Sequence, residues 1–133
     1  KAVSKALPEL DGKLTGNAIR VPTPNVSLAV MSLTVEKNNL NKEDVNEFLR
    51  KTAFNSKYRE IVGFVNSTEI VSSDFYSSPF ASVIDSKATI VSDNKITLYC
   101  WYDNEYGYSV QVVNLVKNIA GINLIRLPVK VWN

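Results

Sequence analysis

Asp103, Asn104 and Glu105 stand in a row within Trp101-Tyr102-Asp103-Asn104-Glu105-Tyr106-Gly107-Tyr108-Ser109, two carboxylates and an amide framed by four aromatic side chains. An Asn side chain donates and accepts hydrogen bonds at once, so it can read an amide-bearing ligand. Before this stretch, the alternation of Lys95-Ile96-Thr97-Leu98-Tyr99-Cys100 predicts a strand. After it, Val110 to Ala120 has helical spacing. A strand-to-helix junction presents polar side chains from two rigid supports. The same residues also suit plain structure, with an Asp or Asn as helix N-cap and the aromatics filling a core edge. Local chemistry leaves both readings open.

Two other residues could do chemistry. Arg20 lies beside Val21-Pro22-Thr23-Pro24, where prolines interrupt a strand pattern. It is either a solvated surface Arg or a guanidinium held at a strand end to fork onto an anion. Cys100 shares a strand face with Ile96 and Leu98, so it reads as a buried packing residue, with no sequence neighbour to activate its thiol.

Composition narrows the classes. The 133 residues suffice for one domain with a core. With 45% hydrophobic and 21% charged residues, the chain is an ordinary globular sequence. The net charge of +2 and scattered Lys and Arg give no electrostatic case for nucleic acid or a membrane surface. One Cys excludes an internal disulfide and fits a reducing, cytoplasmic setting. The absence of His removes the commonest general base and zinc ligand, and no metal site is expected. No apolar run approaches ~18 residues. Residues 1–7 lack signal-peptide character, and the first residue is not Met; the chain reads as part of a longer one.

The elements that would position these residues follow from periodicity. Val3, Ala6 and Leu7 predict the end of a helix stopped by Pro8, with a turn at Asp11-Gly12-Lys13. Strands are expected at 14–21, at 26–35 (unbroken enough to be central or covered on both faces), at 61–65, at 70–75, at 83–91 and at 96–102, with a hairpin turn at 92–95. Asn41 is a helix N-cap, followed by a core stripe of Val45, Phe48, Leu49, Thr52 and Ala53. The last helix carries a stripe of Val112, Val113, Val116, Ile119 and Ala120, closed by Gly121 as its C′ residue. This order predicts an α+β fold, a mixed, largely antiparallel sheet with helices on one face, forming part of a domain. No G-x-G-x-x-G is present, so a dinucleotide-binding fingerprint is missing.

Five blocks, taken together, carry a resemblance. They are Lys1-Ala2-Val3, Leu7 to Gly16, Arg20-Val21-Pro22-Thr23-Pro24-Asn25-Val26-Ser27, Val71 to Phe75, and Trp101 to Ser109. In this order and spacing they resemble the C-terminal part of the catalytic domain of phosphorylating glyceraldehyde-3-phosphate dehydrogenase. The resemblance covers residues 1–121, and 122–133 reads as a separate tail containing Pro128 and Trp132.

The resemblance implies an enzyme that oxidises glyceraldehyde 3-phosphate with NAD and inorganic phosphate, as a cytoplasmic homotetramer. In that family a Cys thiolate attacks the aldehyde, a His acts as base, hydride passes to the nicotinamide, and phosphate releases the acyl group. Arg20 matches the Arg that binds substrate phosphate. Asn104 matches the Asn bonded to the nicotinamide carboxamide, and Tyr108 a Tyr near the same ring. The family's Cys and His fall upstream of the position matching Lys1, as does the nucleotide domain that chooses between NAD and NADP. No residue here is therefore assigned as catalytic, and this piece alone is expected to be inactive. Phe80 stands where many members have His, Ser4 where Gly is usual, and Val30-Met31-Ser32 for Asp-Leu-Thr. These departures bear on packing or assembly. The alternative is a non-catalytic binding or scaffold piece from a split or decaying gene.

Overall fold

The computed structural model describes residues 2–122; the tail expected at 122–133 lies outside this range except for Ile122. A helix α1 (Ala2–Ala6) is stopped by a 3-10 turn at Pro8–Leu10. Gly12 then turns the chain with φ +71. Five strands follow: β1 (Ser27–Thr34), β2 (Val62–Val65), β3 (Ser82–Asp85), β4 (Ile90–Ser92) and β5 (Lys95–Tyr102). They form one sheet in the order β1-β5-β3-β2, with β4 also paired to β5. The β1–β5, β3–β5 and β4–β5 pairs are antiparallel, and β2–β3 is parallel. With α2 (Lys42–Asn55) and α3 (Asn104–Ile119), this is the expected α+β fold with a mixed, largely antiparallel sheet.

Alternation along β5 sets the core. Ile96, Leu98 and Cys100 are buried and meet Val45 of α2 and Ile84 of β3. Asn41 caps α2 as expected, its Oδ1 accepting from the Asp44 N–H at 2.8 Å. The buried stripe of α2 is narrower than predicted. Val45 and Ala53 are buried, whereas Phe48 is 69% exposed, because only the i, i+4, i+8 row lies against the sheet. On the opposite face Trp101 stacks on Phe75 at 5.4 Å, and Val26, Val83 and Phe80 pack around them.

Four local expectations are corrected. Residues 14–21 form no strand; Ile19 is 83% exposed, and alternation without a neighbouring edge to bond makes no ladder. The 70–75 segment instead contains a 3-10 helix at Ser72–Phe75, because the Asp74 carboxylate accepts from the Val71 N–H at 2.8 Å and offers a competing local bond. The 83–91 strand is broken in two, since Asp85 Oδ1 accepts from the Lys87 and Ala88 N–H groups, both at 3.1 Å, and turns the chain. Finally, β1 is an edge strand. Leu28, Val30, Met31 and Leu33 are exposed, and β5 is its only partner among the described residues. Leu28 and Val30 point to the face away from α2, and on the α2 face β1 gives only Ala29 to the core cluster.

Candidate functional site at the β5–α3 junction

β5 ends at Tyr102 and α3 begins at Asn104, with Asp103 as the N-cap between them. The Asp103 side chain is 3% exposed. Its Oδ1 accepts from the Tyr106 N–H at 2.9 Å, which satisfies one of the helix's free donors. Its Oδ2 accepts from the Ser77 N–H at 2.9 Å and from Asn25 Nδ2 at 3.0 Å. The Tyr106 N–H most of all, helped by those of Ser77 and Glu105 and by the Asn25 amide, holds the carboxyl below the usual carboxylate range, against the opposing effect of burial. The junction therefore serves as cap and core edge, while the residues just past the cap face outward.

Asn104, Glu105 and Tyr106 are all exposed. The Asn104 carboxamide makes no hydrogen bond to another described residue. Tyr108 lies one turn on at i+4, on the same side of α3, and is 72% exposed. The inward side of α3 is marked by Gly107. A Cβ there would stand 2.7 Å from the Phe80 carbonyl oxygen, closer than any side chain tolerates. Gln111 Nε2 donates to the Pro79 carbonyl at 3.1 Å on the same side. The predicted stripe of this helix is not a core face: Val112, Val113, Val116 and Ile119 are exposed, because the helix leaves the sheet edge with only its Gly107 side against the body. Gly121 does end the helix, with φ +66.

Arg20 lies in the irregular segment before β1, exposed and without a hydrogen bond or ion pair to another described residue. Among the described residues no hydrogen bond or ion pair joins it to Asn104; the segment that carries Arg20 meets the junction through Asn25, whose Nδ2 donates to Asp103. Cys100 is buried, and burial pushes its thiol up, so it stays protonated and unreactive. Among the described residues no group of three or more His, Cys, Asp or Glu could hold a metal ion. No described helix is long and apolar enough to cross a membrane. Sequence reasoning missed Asn25 and Ser77 as parts of the junction. The signal was an Asn after Pro24 and a Ser two residues before Pro79, both turn-forming contexts.

Comparison with known proteins gives the family. A profile described as glyceraldehyde 3-phosphate dehydrogenase, C-terminal domain, matches residues 1–104. The chain is 54% identical over 127 residues to a glyceraldehyde-3-phosphate dehydrogenase-like protein of Pseudomonas aeruginosa, covering 96% of this chain and 27% of that protein. It is 48% identical over 121 residues to a chloroplastic glyceraldehyde-3-phosphate dehydrogenase of Arabidopsis thaliana, covering 90% of this chain and 27% of that protein. It is 46% identical over 121 residues to glyceraldehyde-3-phosphate dehydrogenase 3 of Saccharomyces cerevisiae, again 90% of this chain and 36% of that protein. The chain thus spans about a quarter to a third of the length of these relatives. With a profile match over most of its residues and an α+β sheet to go with it, this chain belongs to the glyceraldehyde-3-phosphate dehydrogenase family, in the C-terminal domain of that family.

Proposed function

We propose that this chain is the part of an NAD-dependent, phosphorylating glyceraldehyde-3-phosphate dehydrogenase that contributes Arg20 to the substrate phosphate and Asn104 and Tyr108 to the nicotinamide. The intact enzyme acts in glycolysis as a cytoplasmic homotetramer, on glyceraldehyde 3-phosphate and inorganic phosphate. The observation that carries this reading is the Asn104 carboxamide, exposed and with no hydrogen bond to another described residue, one residue past a fully bonded cap. An amide in that state fits a nicotinamide carboxamide, donating to its oxygen and accepting from its NH2. NAD, when bound, supplies the hydride acceptor. Tyr108, one turn along the same side, offers an aromatic wall beside that contact. Arg20, exposed and with no ion pair among the described residues, suits forking onto two phosphate oxygens, which a Lys would meet only as a point charge.

The Cys nucleophile and His base of the family have no counterpart within residues 1–133, which contain one buried Cys and no His. Residues 1–133 alone therefore produce no NADH from glyceraldehyde 3-phosphate, NAD and phosphate. The full-length protein bearing this chain produces it. There, Arg20→Ala raises KM for glyceraldehyde 3-phosphate by roughly 10-fold or more, the scale of one charged hydrogen bond. Asn104→Ala raises KM for NAD by roughly 10-fold with a smaller effect on the aldehyde. NADH production by residues 1–133 alone, or a full-length protein indifferent to both substitutions, sinks this reading.

A further inference from the structure

An N-cap needs only one acceptor, and a Ser or Thr hydroxyl supplies it. Asp103 supplies two oxygens, and only Oδ1 is spent on the helix. Oδ2 reaches out of the local chain, to Asn25, 78 residues earlier, and to the Ser77 N–H, 26 residues earlier. Both contacts fall at backbone turns of unusual conformation. Ser77 has φ +58. Val26, next to Asn25, has φ +70 and is buried. A β-branched residue in the left-handed region is held there only by its surroundings. Part of that hold is visible: Asn25 Oδ1 accepts from the Val26 N–H at 2.7 Å while Asn25 Nδ2 donates to Asp103. The Asn25 side chain thus grips the strained turn with one end and the buried carboxylate with the other.

Geometry gives this grip a consequence. Val26 is the pivot between the irregular 14–24 segment, which carries Arg20, and β1. Asp103 is covalently joined to Asn104. We infer that Asp103, acting through Asn25, is a positioning residue that fixes the Arg20 segment relative to the start of α3, so that the phosphate-binding and nicotinamide-binding groups keep one register. This rests on the functional reading above for what Arg20 and Asn104 bind.

The test uses the full-length protein and three variants: Asn25→Ala, Asp103→Asn, and the exchanged pair Asn25→Asp with Asp103→Asn. Asn25 lies in the Arg20 segment, yet Asn25→Ala raises KM for NAD as well as for glyceraldehyde 3-phosphate, by about fivefold or more each, the lower scale of coupling between sites. Its kcat at saturation changes less than either KM. Asp103→Asn is worse, because an amide cannot accept at both positions and sets a donor against a donor. The exchanged pair restores a carboxylate facing an amide and brings the raised KM for NAD part of the way back, the Ser77 N–H staying without its acceptor. Two results overturn the inference: Asn25→Ala that moves only the aldehyde KM or neither, and an exchanged pair no better than Asp103→Asn alone. Should Asp103→Asn fail to fold, Asn25→Ala, which leaves the carboxylate its backbone donors, decides. A wild-type protein that makes no NADH defeats the functional reading instead. The coupling is then judged by amide exchange, where Asn25→Ala must speed exchange at the Tyr106 N–H, and an unchanged rate refutes it.

Discussion

Asp103 makes a local electrostatic statement with a measurable sign. Its carboxyl titrates below the ordinary value of 3.8, chiefly because the Tyr106 N–H donates to its charged form. A carboxyl depressed in the folded state contributes stability that is complete above its unfolded value and is lost as pH falls through its folded one. Urea midpoints of the wild type should therefore hold steady from neutral pH to about 5 and fall steeply below 4. Asp103→Asn should start lower at neutral pH and show a shallower acid limb. Parallel acid limbs would show that other carboxyls carry the effect. At this scale the sequence was legible wherever a residue acts on its own neighbourhood. Asn41 bonds a group three residues away, and Gly121 needs only its own φ. The role of Asp103 as a cap was open to reading for the same reason. Its bond to Asn25 was not, because a separation of 78 residues leaves no periodic or compositional trace.

The elements carry a different lesson, best seen in α3. That helix is seated through Gly107, whose missing Cβ lets its backbone approach the Phe80 carbonyl. Gly107→Ala gains up to about 1 kcal/mol of helix propensity. It also forces a contact of 2.7 Å against backbone, which cannot rotate aside. Overpacking of this kind costs about 1–3 kcal/mol, so the net change should be a loss between about zero and 2 kcal/mol, centred near 1. Denaturation midpoints check it, and amide exchange near Pro79 and Gln111 should accelerate with the lost hydrogen bond. A more stable variant would show that propensity wins. Element type was readable where periodicity and packing agree, as in β5 and α2. It failed at 70–75 and 83–91, where Asp74 and Asp85 offer the backbone a bond that competes with the ladder. It failed at 14–21, where an alternating pattern has no edge to join.

For the whole molecule, the order of elements was enough to predict an α+β fold with a largely antiparallel sheet, because hairpin spacing and helix periods survive local errors. Strand order was not readable, since β1 pairs with β5 across roughly sixty residues of intervening chain. The resulting surface is unusual in its apolar exposure. Leu28, Val30, Met31 and Leu33 lie open on β1, and Val112, Val113, Leu115, Val116 and Ile119 on α3. Patches of this extent drive association when nothing else covers them. Residues 1–133 alone should sediment as a concentration-dependent mixture of oligomers and bind a hydrophobic dye. A single monomeric species at all concentrations would refute that.

The central position of β5 also fixes a sequence of events in time. β1 has β5 as its sole partner among the described residues, and β5 is the last strand of the five to be made. At typical elongation rates the stretch between Thr34 and Lys95 takes about 3–12 s to synthesise. Throughout that interval β1 lacks the one strand it pairs with among the described residues. The least time before β1 can pair with β5 is therefore set by translation, and slowing the ribosome over residues 35–95 would lengthen it.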